Sequence, residues 1–133
     1  MIKITFMGAG STVFLRNVLG DCIYTDALKG MEIALYDIDG QRLEQSAAIL
    51  EAINNGCPAS IRSYLGAENR RKALSGADFV INAIQVGGYD PCTITDFEIP
   101  KKYGLRQTIG DTLGIGGIMR ALRTIPVLED FAR

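Results

Sequence analysis

Histidine is absent from the 133 residues of this chain. A histidine general base, a histidine metal site and a Ser-His-Asp triad are therefore excluded within it. The three cysteines, Cys22, Cys57 and Cys92, lie far apart without CxxC spacing, which excludes a zinc knuckle and a redox pair. Any chemistry must depend on a cofactor, on carboxylates or tyrosines, or on residues outside this chain. Free cysteines without a disulfide pattern favour a reducing cytoplasm.

An excess of charge of one sign is also missing. Fourteen basic and fifteen acidic side chains leave a net charge of −1, which gives no electrostatic basis for binding nucleic acid or an anionic membrane. No apolar run approaches the roughly 20 residues of a membrane span, and the N-terminal segment has no signal-peptide core. The apolar fraction of 47% is ordinary for a globular protein. One domain is predicted over residues 1–133.

Apolar runs alternate with helical patterns along the chain. Strands are predicted at residues 2–7, 31–36, 60–64 and 78–84. Helices are predicted after the first glycine turn and at residues 41–53, 68–74 and 118–133, with a polar, proline-bearing segment before the last one. The strands are continuous apolar runs, which is typical of a parallel sheet covered on both faces. The predicted fold is α/β, a Rossmann-like doubly wound parallel sheet with helices on both faces.

A glycine turn follows the first strand, where a dinucleotide-binding fingerprint belongs. In Gly8-Ala-Gly-Ser-Thr12, Gly8 permits the tight turn and Gly10 lets the backbone approach a pyrophosphate. The first N–H groups of the helix then bind the anion. Ser11 or Thr12 is expected to cap that helix. Val13 replaces the third glycine, so close packing of helix and strand must be achieved in another way.

An acidic residue, Asp37, ends the second strand. Its carboxylate is placed to accept hydrogen bonds from ribose hydroxyls and to repel a 2′-phosphate, which favours NAD over NADP. The alternative is that Gly8 and Gly10 form only a turn and that Asp37 is only a helix cap. Farther along, Asn82 to Gly88 follow the carboxyl end of another strand, where such folds bind ligands. Gly87 and Gly88 either admit the cofactor or simply make a turn.

A second glycine loop, Gly114 to Gly117, precedes the last helix and follows Asp111. A glycine-rich helix start suits an anion or polar ligand, but the loop lacks the GK[ST] ending of a P-loop. The alternative is a capped loop followed by two solvated arginines, Arg120 and Arg123. The polar residues between the two loops are interpreted as solvated or structural: Tyr89, Asp90, Asp96 and Glu98.

Several segments together carry a resemblance to a known family. They are Gly8-Ala-Gly-Ser-Thr12, Leu35-Tyr-Asp-Ile-Asp39, Gln85-Val-Gly-Gly-Tyr89, Thr95-Asp-Phe-Glu98 and the run from Asp111 to Pro126. They resemble glycoside hydrolase family 4, and most closely its bacterial α-galactosidases. The resemblance runs along essentially the whole chain, which would correspond to the N-terminal third or less of such an enzyme.

The resemblance implies a glycosidase that acts on α-galactosides, keeps NAD⁺ and a divalent metal, usually Mn²⁺, and forms a homo-oligomer. The family is an exception to the two-carboxylate scheme of glycoside hydrolysis. Hydride transfer from C3 of the sugar to NAD⁺ is expected to come first, followed by removal of the C2 proton by a tyrosine. The metal stabilises the enediolate. The glycosidic oxygen then leaves, water adds and NADH returns the hydride.

The resemblance also implies roles for single residues. Those matching the family's cofactor positions are Gly8, Gly10, Ser11, Thr12, Asp37, Asn82, Gln85, Val86, Gly87 and Gly88. Asp111 matches an acidic site that increases the basicity of the catalytic tyrosine. The family's metal-binding Cys and His, its acid and its tyrosine are expected downstream of Arg133, so the short chain alone is expected to be inactive.

Two other functions stay open from the sequence. A 2-hydroxy-acid dehydrogenase of the lactate/malate type shares the first strand–helix–strand unit, but it would carry an arginine in the loop where Gly88-Tyr-Asp-Pro91 stands. A non-catalytic module would bind NAD without turning anything over. The sugar is open as well, among galactoside, glucoside, glucuronide and galacturonide.

Overall fold

The computed structural model describes residues 1–108 and 114–133, which form two compact units, residues 1–84 and residues 85–133. The first unit contains β1 (Lys3–Met7), α1 (Thr12–Ile23), β2 (Glu32–Asp37), α2 (Gly40–Ile53), β3 (Ser60–Leu65), α3 (Arg70–Leu74) and β4 (Phe79–Asn82). The second contains α4 (Ile94–Lys102) and α5 (Ile115–Phe131). Among the described residues, no helix has the length and apolar character needed to cross a membrane.

The four strands form one parallel sheet in the order β3-β2-β1-β4. Met7 at the end of β1 is in register with Tyr36 of β2 and with Asn82 of β4. The carboxyl ends of these strands therefore meet at one edge of the sheet, with the first glycine turn between them. This arrangement confirms the predicted parallel sheet.

Helices cover both faces of the sheet. On one face, alternate residues of β1 and β2, such as Phe6 and Leu35, pack with Leu15 of α1 and Leu50 of α2 in a core that excludes water. On the other face, the buried hydroxyl of Thr5 donates a hydrogen bond to the carbonyl of Ala73 in α3, at 2.8 Å. Strands β2 and β3 are added on one side of β1, whereas β4 is added on its other side. Since the crossovers are right-handed, this change of side puts α3 on the face of the sheet opposite α1 and α2. The Rossmann-like fold is confirmed.

One strand of the first unit is more exposed than a continuous apolar run predicts. Val80 is 51% exposed, and its neighbour Phe79 is 58% exposed. Both lie on β4, which is the edge strand of the described sheet, while α3 packs on β2 and β3. Their apolar character alone could not reveal that the strand lies at an edge.

The second unit contains a helix, α4, in the polar, proline-bearing segment for which the sequence pattern predicts no helix. Pro91 and Pro100 obscure the pattern, since proline removes a backbone donor. Pro100 nevertheless lies within the helix, and the carbonyl of Asp96, four residues earlier, lies against Gly116. Gly116 and Gly117 are buried in the first turn of α5, which begins at Ile115 rather than at the expected Ile118. These glycines permit close packing of helices instead of forming a loop.

Candidate functional site

The turn after β1 requires glycine at Gly8. Its φ angle is +88°, and a Cβ there would lie 2.6 Å from the carbonyl oxygen of Ala83 and 2.8 Å from the nitrogen of Ile84. The backbone N–H groups of Gly8 and Ala9 both donate to the carbonyl of Tyr36, at 2.9 Å each. The turn is therefore held between the ends of β2 and β4, at the edge where parallel α/β sheets bind ligands.

Asp37 connects this turn to the end of β2. One carboxylate oxygen accepts the N–H of Gly10 at 2.6 Å, and the other accepts the N–H of Asp39 at 2.9 Å. A carboxylate has about four acceptor positions, so both oxygens keep capacity for the hydroxyls of a ribose. A Cβ at Gly10 would lie 3.0 Å from Asp37 Oδ2 and 3.1 Å from Arg42 Cβ. Gly10 thus permits the close approach of the two loops.

The N-terminus of α1 opens beside this pair. Ser11 stands at the capping position, but its exposed side chain makes no capping hydrogen bond. The hydroxyl of Thr12 lies 3.0 Å from that of Ser46, a buried residue of α2. The Thr12 side chain is thus bonded within the fold. The first N–H groups of a helix have no partner within it, so the turn presents unpaired backbone donors to an anion.

The third glycine position of the fingerprint is Val13, which is 67% exposed. Packing near this point comes from other side chains: Ala9 is fully buried, and the Phe14 ring lies 5.8 Å from that of Phe6. Helix and strand are thus packed without the third glycine. Asn82 is also exposed at this edge, where its side-chain oxygen accepts the N–H of Ile84 at 3.4 Å.

Burial affects one ionisable group at this edge. The side chain of Tyr36 is 3% exposed, and desolvation raises the pKa of its phenol above the ordinary value, with Asp37 and Glu68 adding to the effect and Arg70 opposing it. Tyr36 therefore stays protonated over a wide pH range. Its role here is structural, since its carbonyl fixes the turn.

The remaining cofactor-side residues of the prediction, Gln85 to Gly88, belong to the second unit. Gly87 has φ of +88°, and a Cβ there would lie 2.8 Å from the Cβ of Cys92. Gly88 has φ of +67° and no atom near the position of a Cβ. The contact with Cys92 and the positive φ angle therefore explain why glycine stands at position 87, in a turn. At position 88, only the positive φ angle favours glycine.

The two arginines of α5, Arg120 and Arg123, make contacts next to this loop. Arg123 donates to both carboxylate oxygens of the buried Asp96 and, through Nε, to the carbonyl of Val86 at 3.0 Å. The hydrogen bonding with Asp96 raises the pKa of Arg123. Arg120 donates from Nη2 to the hydroxyl of Thr93 at 3.0 Å. The interpretation of both arginines as solvated is therefore wrong.

Thr93 is a residue that the sequence pattern did not indicate. Its hydroxyl accepts from the side-chain amide of Gln85 at 2.7 Å and donates to the carbonyl of Gly88 at 3.3 Å, in addition to its contact with Arg120. It thereby fixes both ends of the Gln85–Gly88 loop. The only available signal was its place just before the motif Thr95–Glu98.

Asp111 lies outside the described residues. Within residues 1–108 and 114–133, no group of three or more His, Cys, Asp or Glu side chains is arranged to hold a metal ion. The described residues thus do not fit a divalent metal. They do fit a dinucleotide, because Gly8 and Gly10 leave backbone uncovered at the start of α1 and Asp37 keeps acceptor capacity beside it.

Comparison with known proteins gives the evolutionary context. The model of the family 4 glycosyl hydrolases matches residues 3–133. An α-galactosidase of Bacillus subtilis (strain 168) is 62% identical over 135 residues, covering 100% of this chain and 31% of that protein. An α-galacturonidase of the same organism is 35% identical, covering 99% and 28%.

A similar fold is found in a crystal structure of the 6-phospho-β-glucosidase of Thermotoga maritima with manganese, NAD⁺ and glucose-6-phosphate. It superposes with a TM-score of 0.80 at 25% identity, covering 99% of this chain and 30% of that one. The chain thus spans about three tenths of the length of these relatives. Since the family model matches nearly every residue, the chain belongs to family 4 of the glycosyl hydrolases.

Proposed function

We propose that this chain is the NAD-binding part of a family 4 glycosidase that cleaves α-galactosides. The observation that carries the proposal is the hydrogen bond from the N–H of Gly10 to Asp37 Oδ2, at 2.6 Å. It places a carboxylate with spare acceptor capacity beside the glycine turn at the start of α1. The turn offers backbone N–H groups to a pyrophosphate. Asp37 offers oxygens to the adenosine ribose and repels a 2′-phosphate.

The choice of NAD over NADP depends on the charge balance at this position. Arg42, in the first turn of α2, lies beside Gly10 and has its Nε 3.7 Å from Asp39 Oδ2. A 2′-phosphate on the ribose would meet the carboxylate of Asp37, and this repulsion disfavours NADP.

Bound NAD supplies a reversible hydride acceptor. The glycine turn of this chain is proposed to bind the cofactor, and the family resemblance adds Gln85 to Gly88 as further cofactor-binding residues. The 62% identity to an α-galactosidase supports an α-galactoside as the substrate. The manganese in a related structure supports a metal ion held by residues of the longer protein. Unpaired cysteines support a cytoplasmic location, and a homo-oligomer is proposed from the family resemblance.

Calorimetric titration with NAD⁺ and NADP⁺ tests the cofactor role. Wild-type chain should bind NAD⁺ more tightly than NADP⁺. Asp37→Asn should weaken NAD⁺ binding by about 1–3 kcal/mol through loss of charge-assisted hydrogen bonds, and should narrow the difference between the two cofactors. Asp39→Asn is the matched control, because it removes a nearby charge and keeps a good helix cap.

Two results would count against the proposal. Equal NAD⁺ affinity in wild type and Asp37→Asn would remove Asp37 from the site. Absence of NAD-dependent cleavage of nitrophenyl α-galactoside by the longer protein, with Mn²⁺ supplied, would favour the non-catalytic module. The family match over residues 3–133 already argues against a lactate/malate-type dehydrogenase.

A further inference from the structure

Two arginines three residues apart on α5 have unlike surroundings. Arg123 is neutralised by Asp96, which is 5% exposed. Among residues 1–108 and 114–133, Arg120 has one hydrogen bond, from Nη2 to Thr93, and its buried Nε has no acceptor there. No carboxylate within residues 1–108 and 114–133 pairs with Arg120. The cluster of these three charged groups therefore has a net charge of about +1, located on Arg120.

Thr93 orients this charge without neutralising it. Its hydroxyl accepts from Gln85 and Arg120 and donates to the carbonyl of Gly88. A hydroxyl has one proton and two acceptor positions, so the capacity of Thr93 is fully used. Thr93 consequently holds the guanidinium of Arg120 next to the Gln85–Gly88 loop, and the Nε donor of that guanidinium has no acceptor in the described part of the chain.

A guanidinium has five N–H donors, and a buried donor without an acceptor costs free energy. The acceptor best matched to its fork geometry is a carboxylate or a phosphate. We propose that Arg120 is an anion-binding residue that takes a carboxylate or phosphate oxygen of a ligand bound against the Gln85–Gly88 loop. The inference rests on the proposed function, which supplies one source of such an oxygen, a phosphate of NAD. A uronic sugar, which is among the sugars that the sequence leaves open, would supply the other source as its carboxylate.

The test compares Arg120→Gln and Arg120→Lys with wild type by calorimetric titration of NAD⁺, galacturonate and inorganic phosphate. Arg16→Gln is the matched control, since Arg16 is an exposed arginine of α1 bonded to Asn17. Arg120→Gln should lower the affinity for at least one of these anions tenfold or more. Arg120→Lys should retain part of it, because the charge remains and the fork is lost. Thermal unfolding of each variant establishes that it is folded.

The titrations separate the two sources. A loss confined to NAD⁺ assigns Arg120 to the pyrophosphate, and a loss confined to galacturonate assigns it to the sugar carboxylate. Unchanged affinities for all three probes in folded Arg120→Gln would overturn the inference, and so would an equal loss in Arg16→Gln. Failure of wild type to bind NAD⁺ would instead overturn the proposed function, while galacturonate and phosphate still test Arg120.

A second pair of variants tests the orienting role of Thr93. Thr93→Val removes the hydroxyl at nearly constant shape, and it should reduce the anion affinity in the same direction as Arg120→Gln. Thr93→Ser should restore most of the affinity. Thr95→Val is the control, because the Thr95 hydroxyl donates only to the carbonyl of Pro91 on the exposed side of the helix. Wild-type affinity in Thr93→Val would show that the hydroxyl does not position Arg120.

Discussion

The carboxylate of Asp96 and the guanidinium of Arg123 form a paired set of hydrogen bonds, with Nη1 3.0 Å from Oδ1 and Nη2 bonded to Oδ2. The two residues belong to α4 and α5, so this ion pair joins the helices of the second unit. Arg123 also reaches the carbonyl of Val86. One buried pair therefore connects both helices to the candidate loop.

Breaking this pair should destabilise the second unit. Asp96→Asn leaves the Arg123 charge without its partner, and removal of one member of a buried pair costs about 3 kcal/mol. Urea unfolding measures the change. Glu98→Gln on the same helix is the control, because Glu98 pairs with Lys101 on the surface, and exposed pairs contribute less than about 1 kcal/mol. Equal effects of the two substitutions would show that the Asp96–Arg123 pair does not stabilise the unit.

Gly8→Ala should be more destabilising than Gly30→Ala. Both glycines have positive φ, +88° and +74°, so alanine is strained at both by roughly 1–2 kcal/mol. A Cβ at Gly30 meets no atom within 4 Å, whereas a Cβ at Gly8 overlaps the backbone of Ala83. Overpacking adds about 1–3 kcal/mol at Gly8. Thermal unfolding of the two variants checks the order, and a similar loss in both would contradict the tight turn described here.

Tyr36 should make stability fall at alkaline pH. Its pKa is raised in the folded state by burial, so the folded protein holds the proton more tightly than the unfolded chain, whose tyrosine titrates near about pH 10. This contribution is complete below that pH and is lost as pH rises through the folded-state pKa.

Free energies of unfolding in urea between about pH 8 and pH 11 test this. Tyr36→Phe should flatten the alkaline decline, whatever it does to stability at neutral pH. Tyr103→Phe is the control at a tyrosine that is 77% exposed. An unchanged slope in Tyr36→Phe would show that burial of this phenol does not contribute to the pH dependence.

The sequence predicts the first unit well because its signals are local. Apolar runs mark the strands, glycines mark the turns, and α2 follows directly on Asp39, whose side chain caps it by accepting the N–H of Arg42 at 3.1 Å. The order of strand, glycine turn and acid likewise brings Gly10 and Asp37 together. Each of these features follows from short stretches of chain.

The second unit was predicted less well because its determinants are contacts between distant residues. Asp96 and Arg123 are 27 positions apart, as are Thr93 and Arg120. Spacing rules relate residues a few positions apart and do not reveal such pairs. The glycines of α5 indicated a loop, since their burial against α4 depends on packing that no local pattern contains. The roles of the cofactor-side residues in binding and of Asp111 in catalysis stay predictions.

Asp37 both holds the glycine turn and is the proposed ribose-binding residue, and this combination affects the rate at which a cofactor can bind. Its two oxygens already hold the backbone of Gly10 and Asp39, so the glycine turn has its shape before any ligand arrives. Ordering a residue's backbone costs roughly 1–2 kcal/mol, and that cost is met during folding rather than during binding. Association with NAD at this turn should therefore be a single fast step, limited by diffusion and orientation instead of by a slow rearrangement of the loop.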